Sequence, residues 1–251
     1  MKGFKTLLSK ELREQFRTYR LLIVGGIFLF FGLSTPLLTK YTPQIIEKFG
    51  GGVVIEMPTP TAAQSLTAYS GDILQIGLLI AVLVAMGAIA GELKSGTGLM
   101  TLSKPVGIGA FVTAKLVAIS GTFIAGMALG SIGAFGYTWL LFDDGNLGGF
   151  LAQTGLLAVF LIFCIATTLV FSAVFRNSLA AGGVAVAAII GSTTLSALPW
   201  VGRVMPGAIT SWGNHLVAGE GGTEWLALVV SVILVGLGAY LATAILKRKE
   251  I

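Results

Sequence analysis

Residues 91–115, GELKSGTGLMTLSKPVGIGAFVTAK, separate two long apolar runs at 73–90 and 116–142. The segment carries three lysines, Lys94, Lys104 and Lys115, against one acid, Glu92. Gly96, Gly98, Gly107, Gly109 and Pro105 punctuate it. Two hydrophobic runs joined by a short, basic, turn-rich connection read as a membrane hairpin with the connection in the cytoplasm. Within the connection, Thr97 suits a helix N-cap and Pro105 a stop. Leu99 and Leu102, three apart, share one face of the short helix expected between them.

The rest of the chain has the same character. Of 251 residues, 55% are hydrophobic and 11% charged, with mean hydropathy +0.92, whereas soluble domains carry about 25% charged residues. The apolar runs are continuous, not alternating, which favours membrane helices over a β-barrel. The single cysteine, Cys164, lies inside an apolar run and allows no intrachain disulfide. The net charge of +5 comes from basic residues at the ends of apolar runs, so no nucleic-acid partner is expected.

Six spans are expected, near 21–39, 73–91, 116–142, 150–174, 179–200 and 225–246, each near the ~20 apolar residues a bilayer requires. With the N-terminus inside, thirteen Lys and Arg fall in the inner segments and three, Lys40, Lys48 and Arg203, outside. Most acids, Asp72 and Glu220 among them, fall outside. This bias places both termini in the cytoplasm of a multi-pass plasma-membrane protein. In the 40–72 loop, Pro43, Gly50-Gly51-Gly52, Pro58 and Pro60 predict only short helices. The 200–224 loop is rich in Trp and apolar residues. Gly126/Gly130, Gly87/Gly91, Gly182-Gly183 and Gly191 are expected to allow close helix approach.

Residues 1–20 contain six basic side chains, and at 100° per residue Phe4, Leu7, Leu8, Leu12 and Phe16 fall opposite Lys5, Arg13 and Arg17. This is an interfacial amphipathic helix. Glu11 and Gln15 lie in its apolar arc, where lipid would be costly, so that part of the face is expected to meet protein while Leu7, Leu12 and Phe16 anchor the helix.

Glu92-Leu-Lys94-Ser-Gly96-Thr97, Leu102-Ser-Lys104-Pro105 and the terminal Lys115 resemble the connection between spans two and three of type 2 ABC exporter permeases. The chain differs from many members in having Gly98-Leu99-Met100 after Gly-Thr and Gly107-Ile-Gly109 after the proline. The resemblance implies an all-α fold: one transmembrane permease domain over 1–251, six spans, an N-terminal interfacial helix and a short coupling helix. It implies that Glu92, Lys94, Gly96, Thr97, Leu99, Leu102, Lys104, Pro105 and Lys115 couple the chain to two separate ATPase subunits, with Glu92 expected to pair with a basic residue of the N-terminal helix or of the ATPase. It also implies a second copy of the chain or a similar permease as partner, and short half-helices in the 200–224 loop. Spans one, two and five would line the path, with Thr35, Gln75, Ser192, Thr193 and Thr194 as polar candidates.

The chain has no phosphate loop, no G-x-S-x-G elbow and only one histidine, His215, so neither a catalytic site nor a two-histidine metal site is expected in one copy. Gly87-Ala-Ile-Ala-Gly-Glu-Leu93-Lys94 has Leu93 where a phosphate loop needs glycine. ATP and Mg would be bound by the partner ATPase, and this chain would bind no cofactor. With spans set as above, no ionisable residue lies mid-span, which disfavours ion-coupled transport. A self-contained channel or facilitator and a non-transporting scaffold are the alternatives to the exporter reading.

Overall fold

A computed structural model describes residues 3–49, 59–97, 106–198 and 200–249. Among them there is no strand. The helices are α1 (Phe4–Arg17), α2 (Arg20–Phe49), α3 (Ala62–Met86), α4 (Ala90–Ser95), α5 (Ile108–Phe142), α6 (Leu147–Val174), α7 (Ser178–Leu195), α8 (Ala208–Ala218) and α9 (Trp225–Arg248), with a 3-10 turn at Gly202–Val204. Six of them, α2, α3 continued by α4, α5, α6, α7 and α9, are long and apolar enough to cross a membrane. They alternate in direction, so α1, α4 and the C-terminal end of α9 lie at one end of the bundle. The turn and α8 lie at the other.

Several elements extend beyond the sequence expectation. α2 continues through Pro36 and Pro43 to Phe49, where a broken loop was expected after residue 39. Each proline forfeits one helical hydrogen bond but keeps a helical φ. Lys40 ties the extension down, donating to the Leu141 carbonyl and lying 5.7 Å over the Phe142 ring. α3 starts at Ala62, not near 73, because Thr61 and Gln64 form a reciprocal capping box. Asp72, expected in an outer loop, therefore lies within the helix. α5 starts at Ile108 and takes in Phe111 and Lys115. α7 stops at Leu195 rather than at 200.

α5 and α6 form the centre, with Phe111, Phe123, Phe160, Leu161 and Ile165 fully buried, while α7 and α9 are the least covered spans. The tightest crossing is α2 on α5. A Cβ on Gly130 would lie 2.6 Å from the Phe28 carbonyl oxygen, and one on Gly126 2.9 Å from Val24 Cγ1, so the backbones touch through glycine. Gly182 likewise faces Met86, whose Sδ would be 2.7 Å from an added Cβ. Gly87, Gly91, Gly183 and Gly191 do not pack this way: Gly87 has only Ser178 Oγ at 3.7 Å, and the other three face open space.

Candidate functional site

The site grows from the arc of α1 that faces the bundle. Leu7, Glu11 and Gln15 are buried, and Phe4 and Leu8 pack half-buried against the core. Leu12, Phe16 and Tyr19 remain exposed beside Lys5, Arg13 and Arg17. Leu7 is thus a packing residue rather than an exposed anchor: the positions on its arc are drawn in with Glu11, one turn away. Tyr19, at φ 57, makes the turn between α1 and α2.

α4 is set by a serine from a distant helix. The buried Ser172 hydroxyl on α6 donates to the Met86 carbonyl at 2.8 Å and accepts from the Ile89 and Ala90 amides at 3.1 and 3.0 Å. It satisfies backbone groups left by the break between α3 and α4. Gly96, at φ 75, then ends α4 in the left-handed conformation that favours glycine. These two features swing Glu92 towards α1.

Glu11, Glu92 and Lys115 meet there, from α1, α4 and α5. Lys115 Nζ lies 3.0 Å from Glu11 Oε1 and 2.7 Å from Glu92 Oε1, and 4.9 Å from the centre of the Phe111 ring. Lys115 is only 2% exposed, so it reaches any partner only through the carboxylates it holds. Lys10 closes the cluster from outside, 3.2 Å from both carboxylates. Burial pulls the Lys10 pKa down, but Glu11 and Glu92 outweigh it and hold the value above that of an ordinary lysine. Oxygens of Glu11, Glu14 and Glu92 lie within 4.8 Å of one another, a spacing that could hold a cation, yet two ammonium groups already occupy that role. Arg20 engages Glu14 at 3.6 Å. Glu92 Oε2 and Gln15 Oε1 are buried with no hydrogen-bond partner among the described residues.

Lys94 and Thr97 are exposed beside the cluster. The Thr97 hydroxyl lies 2.8 Å from that of Ser95. Leu99, Leu102, Lys104 and Pro105, with the expected coupling helix, lie outside the described residues. The path candidates are not all brought together. Thr35 donates to Asp72 Oδ2 at 2.5 Å, and Gln75 is exposed on α3. The hydroxyls of Ser192, Thr193 and Thr194 turn back onto their own helix, to the carbonyls of Ile189 and Ile190. The sequence points to a basic partner for Glu92 on the N-terminal helix or the ATPase without singling out Lys10, which fills that place, and it gives no sign of Ser172. Both act across more than 80 residues of chain, and neither has a local signal.

At the opposite end α8 packs on α6 through Ile209, Trp212, Gly213 and Val217. Asn146 caps α6 and also donates to the Leu216 carbonyl at 3.0 Å. Gln153 donates to Asn214 at 2.7 Å.

Six apolar spans and a charged seam at one end define a multi-pass membrane protein. Its family is shown by a match over residues 5–198 to the family described as "ABC-2 family transporter protein", and the chain belongs to it. It is a transporter permease component. It is also 28% identical over 222 residues, 86% of each chain, to the "Uncharacterized transmembrane protein YxlG" of Bacillus subtilis (strain 168).

Proposed function

We propose that this chain is the membrane-spanning subunit of an ATP-binding cassette exporter, with the α1/α4 end of the bundle in the cytoplasm. The observation that carries the reading is the buried cluster of Glu11, Glu92 and Lys115. It cross-links α1, α4 and α5 at the end of the bundle where α4 stops and α5 starts. A force applied to the connection between α4 and α5 is delivered to two spans and to α1 together, because breaking a buried ion pair costs roughly 3–5 kcal/mol. Separate ATPase subunits, two per assembly, dock on Lys94, Thr97 and the segment holding Leu99, Leu102, Lys104 and Pro105. ATP and Mg are bound there and not by this chain. A second permease copy or a similar permease completes the path. The exposed Lys5, Arg13 and Arg17 of α1 face headgroups or the ATPase.

The test is affinity isolation of the tagged chain from native membranes in mild detergent. An ATP-binding cassette ATPase is expected to co-elute and hydrolyse ATP. A chain that elutes without any ATPase and conducts solute alone in liposomes is a facilitator, and the reading fails.

A further inference from the structure

α3 leaves one stripe open. Ala68, Gln75, Leu79 and Leu83 are exposed and Asp72 is half-exposed among them, all at helical spacing on one face. Leu79 and Leu83 suit lipid. An aspartate and a glutamine do not, since ionisable and amide groups in hydrocarbon are costly and face a partner or water. At 1.5 Å per residue, Asp72 lies about 21 Å from the α4-side end of α3, and Thr35 about 22 Å from the start of α2. Both distances fall within a ~30 Å hydrocarbon layer. The Thr35 hydroxyl binds Oδ2 and fixes the carboxylate at the α2/α3 seam. No basic side chain among the described residues pairs with Asp72. A fixed anionic oxygen pair, one edge open, therefore stands above an apolar strip on the same helix face.

We infer that Asp72 is a subsite for the cationic head of an amphiphile whose apolar part lies along Leu79 and Leu83. This rests on the permease reading for its place in a transport path, and the chemistry is set by charge complementarity. Thr35 is a positioning residue that orients the carboxylate, and Gln75 offers a polar contact one turn along. A neutral or anionic amphiphile of the same size finds no counter-charge there.

The probe is tetraphenylphosphonium, with tetraphenylborate as its anion of matched shape. Each is equilibrated by dialysis with the full chain in phosphatidylcholine nanodiscs and with empty nanodiscs. Saturable binding of the cation above the empty-disc level is expected, with no saturable binding of the anion. Asp72→Asn keeps the shape and the Thr35 hydrogen bond and is expected to weaken cation binding about tenfold or more, the loss of ~1.4 kcal/mol. Asp72→Glu is expected to restore most of it. Monodisperse elution and an unchanged Tm of Asp72→Asn show that the fold is kept. Equal binding by wild type and Asp72→Asn, equal saturable binding of cation and anion, or no binding above empty discs overturns the inference. No ATPase is present in this assay, so its failure leaves the permease reading standing. Failure of ATPase co-elution likewise leaves this result interpretable.

Discussion

The two ends of the bundle are fastened by different chemistry. At the α1 end, Lys10, Glu11, Glu92 and Lys115 form ion pairs of 2.7–3.2 Å around a buried ammonium group. At the other end, α8 itself is held by amides, backbone and rings: Asn146 to Leu216, Gln153 to Asn214, and the Trp212 and Trp225 rings edge to face at 5.1 Å. His215 Nδ1 and Glu220 Oε2 also meet at that end, 2.6 Å apart, with both side chains more than half exposed. An element held by buried charges moves as a unit or breaks at high cost. One held by single neutral hydrogen bonds can yield locally. On the proposed reading the α1 end passes on force and the α8 end closes the bundle.

The largest effect should come from the charged end. Lys115→Met leaves Glu11 and Glu92 without their buried counter-ion and is expected to destabilise the chain by roughly 3–5 kcal/mol. Denaturation in mild detergent measures it, and Glu11→Gln in the same chain should recover part of the loss. A Lys115→Met chain as stable as wild type would erase the contrast between the ends. Ser172→Ala removes the acceptor for two amides and the donor to Met86. A cost of about 1–3 kcal/mol is expected, with faster hydrogen exchange confined to residues 86–95. At the opposite end, Asn146→Ala removes the α6 cap and the bond to α8 and is expected to cost about 0.5–2 kcal/mol. Its exchange signature should fall on α8. The smallest effect belongs to Glu220→Gln, since an exposed pair contributes ~0–1 kcal/mol. A shift in Tm there as large as that of Lys115→Met would show that the α8 end also depends on charge.

The sequence makes the all-helical fold and the number of spans legible, because apolar runs near the bilayer length are a local signal. Helix ends were less legible. Thr61 and Gln64 spell a capping box, yet hydropathy alone starts the span at residue 73 and leaves Asp72 outside the helix. Pro43 is a helix breaker by local chemistry, but α2 continues past it, with Lys40 reaching α5. For the site, Glu11 and Gln15 stood out as polar residues in an apolar arc, and Glu92 and Lys115 by motif. A basic partner for Glu92 on the N-terminal helix or the ATPase is legible, but the convergence of Glu11, Glu92 and Lys115 is not. It depends on the Ser172 clamp and the left-handed Gly96, which act through tertiary geometry.

The central claim is that the α1 end, and not the α8 end, receives the ATPase. Matched charge reversals of exposed residues test it: Lys94→Glu at one end and Glu220→Lys at the other. Both side chains are exposed, so both chains should fold and insert normally. The measurement is the amount of ATPase that co-elutes with each tagged chain from native membranes. The account predicts that Lys94→Glu loses most of the ATPase while Glu220→Lys retains the wild-type amount. Full retention by Lys94→Glu, or loss confined to Glu220→Lys, would contradict it.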